Sequence, residues 1–254
     1  MTEEQPVPPY EPPPPPPSPP ERVPFWGYSD LFLFIGMAIP SMVAGVFLVK
    51  GVLLAFHLHP SIRAVELLPA QFLGYLILFL ILLAIFRLQY GRPFWRSLGW
   101  VDSHMPVLQL VIYGMLAAFA VALASTFLKM PETDTPMKEL LSDRTSMILI
   151  GIFGVTVGPL CEELAFRGFL QPLLVRSLGV VPGIVGAAIP FGLLHLQEYG
   201  YSWRHALLIA AAGAAFGWVR HRTGSTRAST IMHAAYNALF FLALFAQKGD
   251  LPHT

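Results

Sequence analysis

Charged side chains are scarce in this sequence. Asp, Glu, Lys and Arg make up 12% of its 254 residues, against about 25% in an average soluble domain. Hydrophobic residues make up 55%. The net charge of +1 leaves no basic stripe for the phosphates of a nucleic acid, and the single cysteine, Cys161, excludes an intrachain disulfide. This composition argues against a soluble globular enzyme and indicates an integral membrane protein.

Half of the 24 prolines lie in the first 24 residues, which contain almost no core-forming side chains. Six consecutive prolines, Pro12 to Pro17, lack amide donors and favour a polyproline II conformation. The start is acidic and has no apolar stretch, which is not typical of a signal peptide. We predict that residues 1–24 are a disordered Pro-rich tail that acts as a spacer at the membrane surface. The alternative is a docking ligand for an aromatic-lined groove, whose partner the sequence does not identify.

Long apolar runs occupy most of residues 25–254, which we take as one membrane domain. Because a span needs about 20 apolar residues, we predict an all-α, polytopic transmembrane bundle of about seven spans. The fifth and sixth are short and rich in glycine, which is typical of helices packed by protein rather than by lipid. The predicted spans are Leu31–Phe56, Leu67–Phe86, Val107–Leu128, Met147–Val175, Val180–Leu196, His205–Val219 and Ala228–Ala246.

The arginines of the short loops predict the orientation, because cytoplasmic loops are enriched in basic residues. With seven spans, three arginine-bearing loops fall on one side of the membrane. This arrangement predicts a multi-pass membrane protein with a cytoplasmic N-terminus and a C-terminus on the outside. The loop between spans three and four weakens the prediction, since it also has three basic residues beside four acidic ones. The arginines concerned are Arg87, Arg92, Arg96, Arg176, Arg220, Arg222 and Arg227.

The functional signal lies in ionisable residues within the predicted spans. Each costs about 2.5–3.5 kcal/mol at the centre of a membrane helix, so such a residue is retained where it is paired or used. Three separate spans of the second half of the domain carry polar groups of this kind. They are Glu162, Glu163, Arg167, His195, His233 and Asn237.

Helix geometry distinguishes the two adjacent glutamates. Glu163 and Arg167 are four residues apart, so they share a helix face and can pair. Glu162 lies about 100° further round the helix and has no obvious partner within it. A buried carboxylate without a full partner suits a general base. The alternative is a purely structural ion network of all three residues.

The depth of these residues in the membrane can also be compared. If spans four and five form a hairpin that turns at 179–182, Glu162 and His195 lie about 25 and 20 Å from the turn. They are therefore expected at similar depth. By the same count His233 lies less deep, unless its helix is tilted or begins earlier.

Several other functional classes lack support. The sequence contains no HExxH motif, no GxSxG elbow and no Walker loop. Cys161 is expected to be a buried, inert thiol. The remaining histidines are expected to be solvated, in loops or at the ends of spans: His57, His59, His104, His205, His221 and His253.

Three segments, Glu162 to Arg167, Phe191 to His195 and His233 to Asn237, resemble the EExxxR, FxxxH and HxxxN motifs of the CPBP intramembrane protease family. That family includes type II CAAX prenyl endopeptidases and bacterial homologues linked to bacteriocin processing and immunity. The similarity covers about 147–246, a protease-like core. It implies a membrane endopeptidase for a membrane-associated peptide or protein substrate, in the inner membrane of a bacterium. CAAX-type lipidated and bacteriocin-processing-like substrates both remain open.

The resemblance also implies a role for each motif residue. Glu162 would activate the attacking water, with His195 assisting. His233 and Asn237 would stabilise the oxyanion of the tetrahedral intermediate. The residues that would support the site are Glu163, Arg167 and Phe191.

The need for a metal stays open at this point. Glu162, His195 and His233 are ligand types that a divalent ion such as zinc prefers, and the family is often called metalloprotease. A glutamate-activated water without a metal is the competing hypothesis. Two other functions remain as alternatives, a proton-coupled carrier that uses the same buried groups and a catalytically idle scaffold or immunity protein.

Overall fold

The computed structural model describes residues 23–130, 136–141 and 143–249, and all regular secondary structure in these ranges is helical. The predicted tail lies outside the described residues apart from Val23 and Pro24. Two helices continue as π-helical segments, Ile85–Gln89 after α2 and Leu164–Leu170 after α7. The α-helices are α1 (Tyr28–Ala55), α2 (Arg63–Ala84), α3 (Phe94–Ser97), α4 (Val107–Phe127), α5 (Pro136–Leu140), α6 (Arg144–Val155), α7 (Val157–Glu163), α8 (Gln171–Leu178), α9 (Val180–Leu194), α10 (Trp203–Thr223) and α11 (Thr226–Gly249).

The predicted all-helical membrane bundle is confirmed. In the described ranges, five helical segments are long and apolar enough to cross a membrane, and they match the first four predicted spans and the seventh. The fifth predicted span is the shorter apolar helix α9, and the sixth, α10, is outside the five. The five segments are Tyr28–Ala55, Arg63–Gln89, Val107–Phe127, Arg144–Leu178 and Thr226–Ala246.

One side of α1 exposes large apolar side chains. Phe32, Ile39 and Phe47 have about 70% of their side-chain surface exposed, although they are large and apolar. A soluble monomer rarely exposes contiguous apolar surface on this scale. Because the backbone groups of a helix are satisfied internally, such a surface can face the hydrocarbon of a bilayer at no polar cost. The chain is an integral membrane protein.

Glycines bring the helices into close contact in pairs. A Cβ atom on Gly45 of α1 would lie 2.3 Å from the backbone oxygen of Ala70 in α2. On Gly192 of α9 it would lie 2.2 Å from the backbone oxygen of Ala206 in α10. Small residues are the usual means by which membrane helices approach each other closely. The α9–α10 contact positions the end of α9, which carries His195.

We expect Gly192→Ala to destabilise the protein by about 1–3 kcal/mol, the usual cost of overpacking a well-packed contact. The added methyl group meets backbone, which cannot move aside as a flexible side chain would. Thermal unfolding of the purified protein in detergent measures the effect. Gly51→Ala in α1 is the matched control, because a Cβ there has no described atom within 4 Å. Equal melting temperatures for the two variants would contradict the expectation.

The arginine-bearing loops meet at one end of the bundle, which we call the basic end. The backbone amide of Thr226, which begins α11, donates to the carbonyl of Gly99 at 2.8 Å. Arg220 at the end of α10 donates from Nε to the Thr226 hydroxyl at 2.9 Å. Arg176 of α8 bonds the carbonyl of Pro24, just before α1. The first contact joins the loop after α2 to the loop before α11, and the last joins α8 to the segment that precedes α1.

Aromatic packing fixes the start of the membrane domain to this end. The Trp26 ring is buried and stacks on Phe86 at 5.2 Å and on Phe169 at 5.4 Å between ring centroids. Its Nε1 atom donates to the carbonyl of Phe169 at 3.1 Å. Both partner rings belong to π-helical segments, so the two local distortions lie against the same tryptophan.

Candidate functional site

The segment that carries both glutamates is not a uniform helix. It is interrupted at Thr156, between α6 and α7, and it becomes π-helical directly after Glu163. The Thr156 hydroxyl donates to the carbonyl of Ile152 at 2.6 Å, a bond that bends membrane helices. π-helical turns are often found at functional sites, because they redirect the side chains that follow.

Glu163 and Arg167 form the ion pair that their spacing predicted. Arg167 Nη1 lies 2.8 Å from Glu163 Oε1, and both side chains are fully buried. Arg167 Nη2 also donates to the carbonyl of Gly213 at 2.8 Å, and its guanidinium lies 4.3 Å from the centre of the Phe191 ring. The cation is thus held by a carboxylate, a carbonyl and an aromatic face, which together replace water around it.

His233 connects the buried pair to Glu162. Its Nδ1 lies 3.0 Å from Glu163 Oε1, and its Nε2 lies 3.8 Å from Glu162 Oε2. A carboxylate paired with arginine accepts hydrogen bonds, so Nδ1 carries the proton and donates. Nε2 therefore points towards Glu162. The carboxylate–histidine contact fixes the orientation of the ring, as such partners do in enzyme and metal sites.

Glu162 is the accessible member of the two glutamates. About a quarter of its side chain is exposed, whereas the side chain of Glu163 is fully buried. Glu162 is therefore accessible at the surface of the described structure, whereas Glu163 is enclosed and contacts Arg167 and His233. The structure gives the two adjacent carboxylates different surroundings, and different surroundings produce different chemical roles.

His195 approaches the same region from the end of α9. Its Nδ1 lies 2.8 Å from the carbonyl of Phe191, one turn earlier, which accepts a hydrogen bond from that nitrogen. Its Nε2 is therefore the nitrogen left for chemistry. The Phe191 ring lies 5.0 Å from the His195 ring and 5.7 Å from the His233 ring, so this phenylalanine packs against both histidines.

Asn237 lies one turn after His233 on α11. Its Nδ2 donates to the carbonyl of Gly154 at 2.6 Å. This bond joins α11 to α6 immediately before the break at Thr156. An amide group has two N–H hydrogens, so one remains for a further acceptor. The predicted oxyanion role of Asn237 stays a prediction.

The sequence analysis missed two polar residues near Glu162. Glu198 lies in the loop after His195, where burial raises the pKa of its carboxyl, the Glu162 charge raises it further and His195 lowers it. Tyr75 of α2 interacts electrostatically with both Glu162 and Glu198. The sequence did contain a signal for Glu198, because this glutamate lies only three residues after His195. Tyr75 lies in an apolar run with no motif around it.

The donors do not form a metal centre as they are placed. Within the described ranges, no three His, Cys, Asp or Glu side chains are grouped so that they could hold a metal ion. Glu162 and His233 are neighbours, but they form no such group with His195. We therefore derive no catalytic step through a metal, and the two hypotheses of the sequence analysis, with zinc and without it, are both untested.

Fold and site together define a polytopic helical membrane protein with a partly buried glutamate–histidine centre between α7, α9 and α11. Residues 144–239 match the family described as type II CAAX prenyl endopeptidase Rce1-like. The matched range is under half of the chain, and the match confirms the resemblance to the CPBP family that the motifs carried. The matched range contains all three motifs. A search of curated proteins found no match, and neither did a search of solved structures.

Proposed function

We propose that this protein is a membrane-embedded endopeptidase that hydrolyses a peptide bond of a membrane-associated peptide or protein. The observation that carries the proposal is the pairing of an accessible carboxylate, Glu162, with an oriented histidine, His233. The buried Glu163–Arg167 pair holds that histidine in place. The family match to a protease domain supports the same reaction class.

In the proposed reaction, Glu162 removes a proton from a water molecule as the water oxygen attacks the substrate carbonyl carbon. A tetrahedral intermediate forms, and its oxygen becomes negatively charged. Glu162 then gives the proton to the leaving amine as the carbon–nitrogen bond breaks, so the carboxylate is restored. General acid–base catalysis of this kind contributes about 10²- to 10⁴-fold to a rate.

The histidines act through Nε2, because Nδ1 of each is occupied. A neutral imidazole with its proton on Nδ1 accepts a hydrogen bond at Nε2. In an imidazolium both nitrogens carry a proton, so Nε2 donates a hydrogen bond instead. We propose that His233 stabilises the oxyanion as an imidazolium, next to the carboxylate of Glu163. In the same proposal His195 assists Glu162, and Asn237 uses its second amide hydrogen to stabilise the developing charge.

A survey of protein termini tests the proposal directly. Membranes from cells that express the intact chain would be compared with membranes from cells that express Glu162→Ala at a matched level. We expect new termini only with the intact chain. Termini that follow a lipidated cysteine would favour a CAAX-type substrate, and other positions would favour a bacteriocin-processing-like one. Identical termini in both samples, with both proteins folded, would contradict proteolysis.

We further propose that the basic end faces the cytoplasm, since its exposed arginines fit the positive-inside rule. Single cysteines at Arg222, which is exposed at this end, and at His59, which is exposed in the loop after α1, provide the test. In whole cells, a membrane-impermeant maleimide should label the cysteine at 59 and not the one at 222. After permeabilisation both should be labelled. The reverse pattern would contradict the orientation.

Hydrolysis is expected to persist when divalent metals are removed, because the proposed water activation uses the carboxylate alone. Purified protein would be dialysed against a chelator, analysed for metal and assayed on a substrate identified by the terminal survey. Activity within about twofold of the untreated sample is expected. Loss of activity on chelation, restored by added zinc, would support the metal hypothesis and contradict ours.

A further inference from the structure

The imidazole ring of His233 is covered on one face by an aromatic ring. The Phe216 ring of α10 stacks on it, with 4.6 Å between the ring centroids and an angle of 20° between the planes. Both side chains are almost fully buried. The Phe191 ring meets the imidazole at nearly a right angle, 5.7 Å away. Phe216 belongs to none of the three motifs, and the proposed catalytic step does not use it.

The stack restrains the ring of His233 in a way that its hydrogen bond does not. The bond from Nδ1 to Glu163 Oε1, 3.0 Å long, selects the nitrogen that points to the buried pair. Hydrogen bonds tolerate a broad range of angles at a carboxylate, so this bond leaves the plane of the ring free to tilt. An aromatic ring packed against the face restricts that tilt. Together the two contacts fix the direction of Nε2, which points towards Glu162.

Two buried side chains of the segment from α7 to α8 hold α10 at the position of Phe216. Arg167 Nη2 donates to the carbonyl of Gly213 at 2.8 Å, and Gln171 Nε2 donates to the carbonyl of Gly217 at 2.8 Å. Both bonds join residues that are 46 apart, so the two helical segments lie side by side and run in the same direction. Phe216 lies between the two bonded carbonyls in sequence.

The two glycines of α10 make room for these bonds. A Cβ atom on Gly213 would lie 2.9 Å from Arg167 Nη2, and one on Gly217 would lie 2.6 Å from Gln171 Oε1. Gln171 is 3% exposed, and burying an amide group costs free energy unless it forms a hydrogen bond. The bond to Gly217 is therefore a specific contact between the segment that carries the glutamates and the helix that carries Phe216.

We propose that Phe216 and Gln171 are positioning residues for His233. Phe216 fixes the plane of the imidazole ring, and Gln171 holds the part of α10 from which Phe216 projects. Both residues act through the direction of His233 Nε2 and not on the reacting atoms themselves. This inference rests on the proposed function, because it concerns the histidine that is proposed to stabilise the oxyanion.

Histidine NMR tests the stack without any need for hydrolysis. The full-length protein in detergent would be labelled with ¹³C at Cε1 of histidine, above the ordinary histidine pKa of about 6.5. The His233 signal is the one that disappears in a His233→Gln variant. Because protons over the face of an aromatic ring are shielded, it should lie upfield of the exposed His57 and His59. Phe216→Leu should move it downfield, and Gln171→Met should move it in the same direction.

Kinetics on a substrate identified by the terminal survey test the consequence for the reaction. Loss of a contact that orients a catalytic group typically costs about 10- to 100-fold in activity. We expect Phe216→Leu and Gln171→Met to lower kcat by this factor and to leave KM almost unchanged, because the oxyanion exists only after attack. The double variant should be no slower than Phe216→Leu alone, since the two residues act through one contact.

Two control variants separate positioning from general stability. Phe86→Leu removes an equally buried ring, which stacks on Trp26 and not on His233. Gln109→Met removes a glutamine that donates to Tyr113 on α4. Both controls should keep the parental kcat and the parental His233 signal. Phe86→Leu should do so although its melting temperature falls, because a buried ring is lost.

The inference is overturned if the His233 signal stays in place in both test variants, or if both hydrolyse the substrate at the parental rate. Losses that multiply in the double variant would overturn the role given to Gln171. A moved signal combined with identical termini in the cell survey would contradict the proposed function alone. New termini combined with an unmoved signal would contradict this inference alone.

Discussion

Glutamine in place of Glu162 is expected to abolish hydrolysis while the protein stays folded. The amide has nearly the same size as the carboxylate but cannot remove a proton from water, so a loss of about 10²- to 10⁴-fold in kcat is expected. Glu162 is partly exposed, and its contact with His233 Nε2 is 3.8 Å long, so little stability depends on it. Purified variant and parent would be compared on a substrate identified from the terminal survey.

Glu66→Gln is the matched control for this loss. Glu66 of α2 is also a partly exposed glutamate beside a basic group, 3.9 Å from Lys50. We expect the control variant to hydrolyse the substrate at the parental rate and to melt at the parental temperature. Hydrolysis by the Glu162→Gln variant within a few-fold of that rate would show that the base lies elsewhere.

Replacing Arg167 with methionine is expected to destabilise the protein more than any other change considered. It leaves the fully buried Glu163 without its cation, and breaking a buried pair in this way costs about 3–5 kcal/mol. It also removes the bond to the carbonyl of Gly213. Thermal unfolding in detergent, or the fraction of monodisperse protein after purification, measures the effect. Arg222→Met, at an exposed arginine, is the control.

The double variant Glu163→Gln with Arg167→Met shows how much of the lost stability comes from the unpaired charge and how much from lost packing. Removing both charges avoids an uncompensated buried ion, so stability should recover by at least half of the loss. Hydrolysis should not recover, because the glutamine can still accept from Nδ1 of His233 but no longer places a negative charge beside the proposed imidazolium. A double variant that is less stable than Arg167→Met alone would contradict this account of the pair.

The helical segments were predictable because hydrophobicity decides which residues enter a bilayer. Each predicted span corresponds to a helix, and most boundaries agree within a few residues. The interruption at Thr156 and the π-helical turn after Glu163 were not predictable. Both lie inside a continuous apolar run, and they depend on contacts with other helices that periodicity does not reveal.

The candidate centre was predictable where polar residues contrast with an apolar background. That contrast identified Glu162, His195 and His233, and helix spacing predicted the partner of Glu163. The sequence could not provide the distances between helices. It therefore missed Tyr75 of α2, which interacts electrostatically with Glu162, and the buried nitrogen of His205.

The order of the partners along the chain has a consequence for biosynthesis. Glu163 and Arg167 leave the ribosome together. Gly213, which accepts a hydrogen bond from Arg167, follows 46 residues after it. His233, which contacts Glu163, follows 70 residues after that glutamate. During insertion, the carboxylate is therefore the first partner available to the guanidinium. We expect the pair to enter the membrane as a neutral unit, and the centre to be complete once α11 docks against α6 and α7. A nascent chain that stops before residue 233 has no complete centre, so we expect it to lack the proposed hydrolysis.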